Sequence, residues 1–116
     1  MTDDPGALAT SYFQSWQSKD FDTLGSILAD DVSFHGPLAT LHGAEECLRG
    51  LRQLAELITD LDIRKMWVDG PDVLTWFDLH TALAPPCPTV NWSHVEDGKI
   101  AAIRVTFDPR PLLSAG

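Results

Sequence analysis

Asp78 stands in the run Leu74-Thr75-Trp76-Phe77-Asp78-Leu79-His80-Thr81, an acid among aromatic and aliphatic side chains with a histidine two residues on. A carboxylate crowded by Trp76 and Trp92 loses hydration, which favours its neutral form and lifts its pKa toward the range useful for passing protons. His80 is the nearer partner for such an acid. His94, in Val90-Asn91-Trp92-Ser93-His94, is a second, reached across a strand pair. An acid and a histidine held this way can take a proton alpha to a carbonyl, promote an intramolecular ring closure or activate water. Their titration would be shared, so which member acts as the base stays open. The alternative for Asp78 is a half-buried acid satisfied by an indole, a histidine or water; for His80 and His94 it is a place at a strand end or pocket rim.

Trp16, Phe34, Trp76, Trp92, Val105 and Phe107 are the side chains that would shape an apolar ligand site, although aromatics at helical and strand spacing also serve as core. His35 and His42 flank a Gly36-Pro37 turn that can form a mouth over it. The histidines follow no HxH, HxxH or HExxH spacing, so neither a metal nor any other cofactor is expected. Cys47 and Cys87 show no CxxC spacing and read as two reduced thiols. Glycine-rich nucleotide loops and a GxSxG elbow are missing, which leaves dinucleotide, triphosphate and acyl-enzyme chemistry unsupported.

The elements that must hold these residues follow from periodicity. Leu8, Ala9, Tyr12, Phe13 and Trp16 form one helical face after Pro5, ending near Ser18. Asp20 can cap a second short helix carrying Phe21, Leu24, Ile27 and Leu28, broken at Asp30-Asp31. Val32 to His35 is a short strand. A third helix is expected over residues 44–59, with Leu48, Leu51, Leu54, Ala55 and Ile58 as its apolar stripe. From residue 61 the period becomes two, giving strands over 61–68, 73–83, 89–96 and 100–107, separated by Asp69-Gly70-Pro71-Asp72, a Pro-rich loop and Asp97-Gly98. Helices followed by a mainly antiparallel sheet make an α+β fold in which the third helix covers one face of a curved sheet.

Alternation sorts the strand residues. Leu74, Trp76, Asp78 and His80 oppose Thr75, Phe77, Leu79 and Thr81; Val90, Trp92 and His94 oppose Asn91, Ser93 and Val95; Ile103, Val105 and Phe107 oppose Arg104 and Thr106. The faces holding Trp76, Asp78, His80, Trp92 and His94 are expected to line one concavity. The opposite faces, with Phe77, Leu79, Asn91 and Arg104 among them, would then lie outside and meet a partner copy.

The chain has 116 residues, with 8 basic and 17 acidic side chains for a net charge of −9. That length is one domain, 1–116, with one modest pocket. The acidic balance and scattered cations argue against nucleic acid or a membrane as partner, and no apolar run approaches a membrane span. The acidic start differs from a secretory leader, so a cytoplasmic protein is expected.

Tyr12-Phe13-Gln14-Ser15-Trp16, Leu28-Ala29-Asp30-Asp31-Val32, Gly43 before the third helix, Val95-Glu96-Asp97-Gly98-Lys99-Ile100 and Phe107-Asp108-Pro109 occur in an informative order. Over almost the whole chain the sequence resembles the SnoaL-like branch of the nuclear-transport-factor-2-like superfamily, which includes small polyketide cyclases, limonene-type epoxide hydrolases and proteins without assigned activity. The resemblance implies a cone-shaped, cystatin-like α+β barrel with a mostly antiparallel sheet, commonly dimeric through the outer sheet face. The Arg-x-Asp pair and second Asp of the epoxide hydrolases fall at Trp76, Asp78 and Val105, so only Asp78 is retained. The last-strand acid of the cyclases is likewise Val105. The expected function is binding of an apolar small molecule, with Asp78 as general acid or base in an isomerase, cyclase or epoxide-hydrolase type reaction. A non-catalytic ligand-binding or dimerisation module is the alternative.

Overall fold

Pro5 opens α1 (Pro5–Gln17), where its missing N–H costs no hydrogen bond, and Asp4 caps the helix by accepting from Gly6 N at 3.0 Å. In the computed structural model, which describes residues 4–111, the face expected of this helix is the one that is buried: Leu8, Ala9, Tyr12, Phe13 and Trp16. Asp20 then caps α2 (Phe21–Ser26) through Thr23 N.

This second helix ends sooner than its apolar period suggests. Leu28 belongs to β1 (Leu28–His35), and the Ile27 carbonyl accepts from Ile100 N at 2.9 Å. Sheet pairing claims the backbone that local periodicity assigned to a helix. A short β2 (Thr40–His42), not foreseen in the sequence, folds back antiparallel on β1 and pairs Leu41 with Phe34. Gly43, at φ 87°, makes the turn into α3 (Ala44–Ala55), which buries Cys47, Leu51 and Ala55. The third helix also stops early, because Ile58 opens the long strand β3 (Ile58–Asp69).

Three more strands follow: β4 (Asp72–Thr81), β5 (Cys87–Glu96) and β6 (Lys99–Thr106). Asp97 and Gly98, both at positive φ, turn β5 into β6, as the Asp-Gly pair predicts. The order in the single sheet is β2-β1-β6-β5-β4-β3. Among the described residues only the β1–β6 pairing is parallel, so the sheet is mixed; it curves without closing. The three helices and this curved sheet form the expected α+β cone.

The helices cover the concave side. Phe13 packs on Phe77 with ring centroids 5.1 Å apart, and Tyr12, Leu24, Val32, Leu51, Ile100 and Ile103 complete the centre of the core. Trp16 Nε1 donates to the Leu51 carbonyl at 2.9 Å in a buried bond that ties α1 to α3. Gly50, inside α3, is a residue that costs a helix about 1 kcal/mol relative to alanine. Replacing Trp16 by Phe keeps most of the apolar volume and removes only the bond between the helices, since the Leu51 carbonyl keeps its place in the α3 ladder. A urea titration of Trp16→Phe should show about 0.5–1.5 kcal/mol lower stability, the net worth of one hydrogen bond, at unchanged m-value.

Candidate functional site

Between α1, α3 and the concave sheet lies a cavity of about 330 Å³. Tyr12 and Trp16 reach it from α1, and Gly50, Leu51 and Leu54 from α3. Its floor is the inward-facing set Phe77, Leu79, Thr89, Asn91 and Val105, with Phe107 just beyond β6. The β1–β2 connection, Gly36 to Ala39, crosses its mouth with Phe34 and Leu41 on either side. None of the described lining residues carries a charge.

The polar groups of the lining are few. Thr89 Oγ1 donates to the Cys87 carbonyl at 3.1 Å, and Asn91 Nδ2 donates to Ser93 Oγ at 3.0 Å. The lone pairs of the threonine hydroxyl and the Asn91 side-chain oxygen remain as acceptors. Tyr12 is 1% exposed. Burial pushes its phenol well above the usual range, and the nearby Cys47 side chain adds in the same direction, so Tyr12 stays a neutral O–H donor. Among the described residues its hydroxyl makes no hydrogen bond. The Tyr12 hydroxyl is thus a donor open to the cavity, which Gln53 also lines, beside the Thr89 and Asn91 acceptors in a mainly apolar shell.

Trp16, Phe34, Val105 and Phe107 line this cavity, as their positions in the sequence suggest. Trp76, Asp78, His80, Trp92 and His94 do not: they stand on the convex face of the sheet. Register shows why. Trp92 pairs with Leu74 and Arg104, and Trp76 with Val90, so these side chains share the outer face, whereas Asn91 pairs with Thr75 and Val105 on the inner one. Thr75, Phe77, Leu79, Asn91, Ser93 and Val95, expected outside, are the buried set. The alternation holds but its sense is inverted for β4 and β5, because the inner face of β5 carries Thr89, Asn91 and Ser93 while the outer faces of both strands carry tryptophans.

On the convex face Asp78 is held by a residue that sequence reading passed over. A bulge in β3 between Ile63 and Lys65 accompanies the placement of Arg64 over Asp78, with Nε at 2.9 Å and Nη2 at 2.8 Å from Oδ2. The Asp78 hydrogen bond, followed by the Asp62 charge, raises the Arg64 pKa further. His80 stands opposite Asp60. His94 does not meet Asp78: it lies opposite Asp72, six residues away along β4, which is roughly 20 Å in a strand. There its Nδ1 contacts Asp72 Oδ1 at 2.7 Å, an oxygen that also accepts from Trp92 Nε1 at 3.1 Å. His35 and His42 face each other with ring centroids 6.1 Å apart. Among the described residues no group of three or more His, Cys, Asp and Glu is placed to hold a metal ion.

Tyr12, whose phenol the sequence offers to a ligand but whose place beside Phe13 favours packing at the helix edge, lines the cavity as well as the core, and Leu51 and Leu54, unassigned to a site, carry the signal of the third helix's apolar stripe. Phe77 and Leu79 were visible as apolar residues but assigned to the wrong side.

The sequence profile of the SnoaL-like domain matches residues 9–103, and the chain belongs to that family. Its structure is similar to that of a protein from Kribbella flavida DSM 17836, at 25% identity and TM-score 0.89 over 94% of this chain and 90% of that one. An NTF2-like protein from Cytophaga hutchinsonii matches at 22% identity and TM-score 0.84, over 95% of each chain. An LEH-like epoxide hydrolase from M. tuberculosis matches at 22% identity and TM-score 0.77, over 94% of this chain and 86% of its own. These likenesses establish an NTF2-like fold. Among curated proteins the sequence finds no match. Among the described residues no helix is long and apolar enough to cross a membrane.

Beside the cavity, burial pushes the Cys47 thiol up to about 12 from an ordinary 9.0. Above the ordinary value the unfolded chain gives up a proton that the folded chain keeps, so stability falls as pH rises from about 9 toward 12. The slope from such a group is about 1.4 kcal/mol per pH unit. Urea midpoints measured across this range should fall less steeply for Cys47→Ala than for the wild type; equal slopes would show that the thiol is not held neutral.

Proposed function

We propose that this SnoaL-like protein binds an uncharged, mainly apolar small molecule in the cavity between α1, α3 and the concave sheet. The observation that carries the reading is the lining: about 330 Å³ bounded mainly by aromatic and aliphatic side chains, with no charged residue among the described ones and with Tyr12 as a donor. A carboxylate or ammonium group there would lose its hydration with nothing of opposite charge to meet it. A carbonyl or hydroxyl fits, since it can accept from Tyr12. The size is at the lower end for ligand pockets, which suits a two- or three-ring compound rather than an extended cofactor.

General acid or base work by Asp78 would require the reacting molecule on the convex face, against a carboxylate already paired with Arg64. Binding in the cavity is the reading favoured by the geometry, and the alternative of a non-catalytic ligand-binding module needs no acid at all. The two thiols, Cys47 and Cys87, are both free, which is compatible with a cytoplasmic setting.

Calorimetric titration with naphthalene, α-naphthol, α-tetralone and α-naphthoate tests the reading. The neutral oxygenated pair should bind most tightly and the carboxylate least. Tyr12→Phe should weaken α-tetralone by roughly fivefold, the worth of one neutral hydrogen bond, and leave naphthalene unchanged. Binding of α-naphthoate alone would contradict it.

The convex face is the surface we assign to a second copy of the chain. Trp67, Leu74, Trp76 and Val90 are each more than two-fifths exposed there, a concentration of apolar and aromatic surface typical of contact regions. The same face carries Arg64, Lys65 and Arg104 beside Asp62, Asp72 and Asp78, so it can be self-complementary about a two-fold axis. Sedimentation at micromolar concentration should give the dimer mass for the wild type and the monomer for Trp76→Glu; a monomeric wild type would refute the assignment.

A further inference from the structure

We infer that the contact between Gly50 and Leu41 sets the size of ligand the cavity accepts, an inference that rests on the cavity being the binding site. Gly50 is the one residue of α3 in the cavity wall without a side chain, set beside Leu51 and Leu54. Leu41 faces it from β2, in register with Phe34 of β1. A Cβ placed on Gly50 would lie 2.6 Å from Leu41 Cδ1, 3.6 Å from Cδ2 and 3.7 Å from Cγ. The leucine end thus fills the space that any side chain at position 50 would need.

All three of those contacts are with side-chain atoms, so the helix and strand backbones do not oppose the substitution directly. The leucine must turn away, and the open space beside it is the cavity that both residues line. A helix interior disfavours glycine, so the position is occupied against local propensity. What glycine supplies is close approach: β2 settles on α3, Leu41 lies back against the helix, and the cavity keeps its width near the mouth. Gly36, on the other side of that mouth, is a second lining position without a side chain, where a Cβ would come 3.3 Å from Phe34 Cε1 and 3.7 Å from Val105 Cβ. Gly50 differs in degree, since its neighbour has to relocate rather than give slightly.

The test is a titration of wild type, Gly50→Ala, Leu41→Ala and the double variant with three ketones of increasing size: cyclohexanone, α-tetralone and fluorenone. Gly50→Ala is expected to weaken fluorenone by roughly tenfold, the effect of one methyl group in a filled apolar pocket, while cyclohexanone changes less than about twofold. Adding Leu41→Ala should restore fluorenone binding. Equal losses for all three ketones, an unchanged fluorenone affinity or no recovery in the double variant would overturn size selection while leaving the cavity as the binding site. A wild type that binds none of the three would overturn both. A melting cycle reads the contact without any ligand: Gly50→Ala should lower the melting temperature in the wild type and raise it in Leu41→Ala. Equal shifts in the two backgrounds would contradict the contact.

Discussion

The hydrogen bond from Trp16 Nε1 to the Leu51 carbonyl, buried and 2.9 Å long, locks α1 to α3 above the concave side of the sheet. The rest of the architecture depends on that coupling. The two helices present one apolar roof, and the curved sheet needs such a roof over Phe77, Leu79 and Ile103. A curved sheet and straight helices do not fill the space between them completely, and what is left over becomes the cavity. Core and cavity are therefore one structure, with Tyr12, Trp16 and Leu51 serving both.

The sheet separates two chemistries. The described lining of its concave side is neutral, and of the buried polar groups there Asn91 bonds Ser93 and Thr89 bonds the Cys87 carbonyl, while Thr75 Oγ1 has no partner. Its convex side holds the contacts of the acids: Arg64 pairs with Asp78 and Asp62, and the His94 ring lies beside Asp72 and Glu96. Arg104 sits 5.8 Å from the Trp92 ring centroid on that same side. The more exposed of these pairs, Arg64 with Asp62, contributes little stability. The importance of these contacts is to occupy the carboxylates. An acid bonded to a guanidinium outside the cone is poorly placed to act on a molecule inside it.

Much of the fold was legible because local rules and tertiary packing agree. The face of α1, the Asp20 cap, the Asp97-Gly98 turn and the alternation of the long strands all appear where periodicity and turn chemistry place them. The family resemblance supplied the cone. The site was less legible, for a physical reason. Alternation divides a strand into two faces but does not say which is covered. Composition misleads here, since β5 turns Thr89, Asn91 and Ser93 inward and Val90 and Trp92 outward. Pairing across strands resolves it: Trp92 and Arg104 share a face, so the one cannot line the cavity while the other lies outside. Arg64 was hidden because a bulge places it, and β2 because three residues carry too little period to read.

The central claim is that ligand chemistry belongs to the concave side. Methyl NMR during titration with α-naphthol addresses it most directly, because leucine and valine methyls report from both faces. The account predicts shifts at Leu51, Leu54, Leu79 and Val105, which line the cavity, with Leu74 and Val90 unmoved on the convex face. Shifts centred on Leu74 and Val90, with the cavity methyls silent, would contradict it and return the chemistry to the face that carries Asp78.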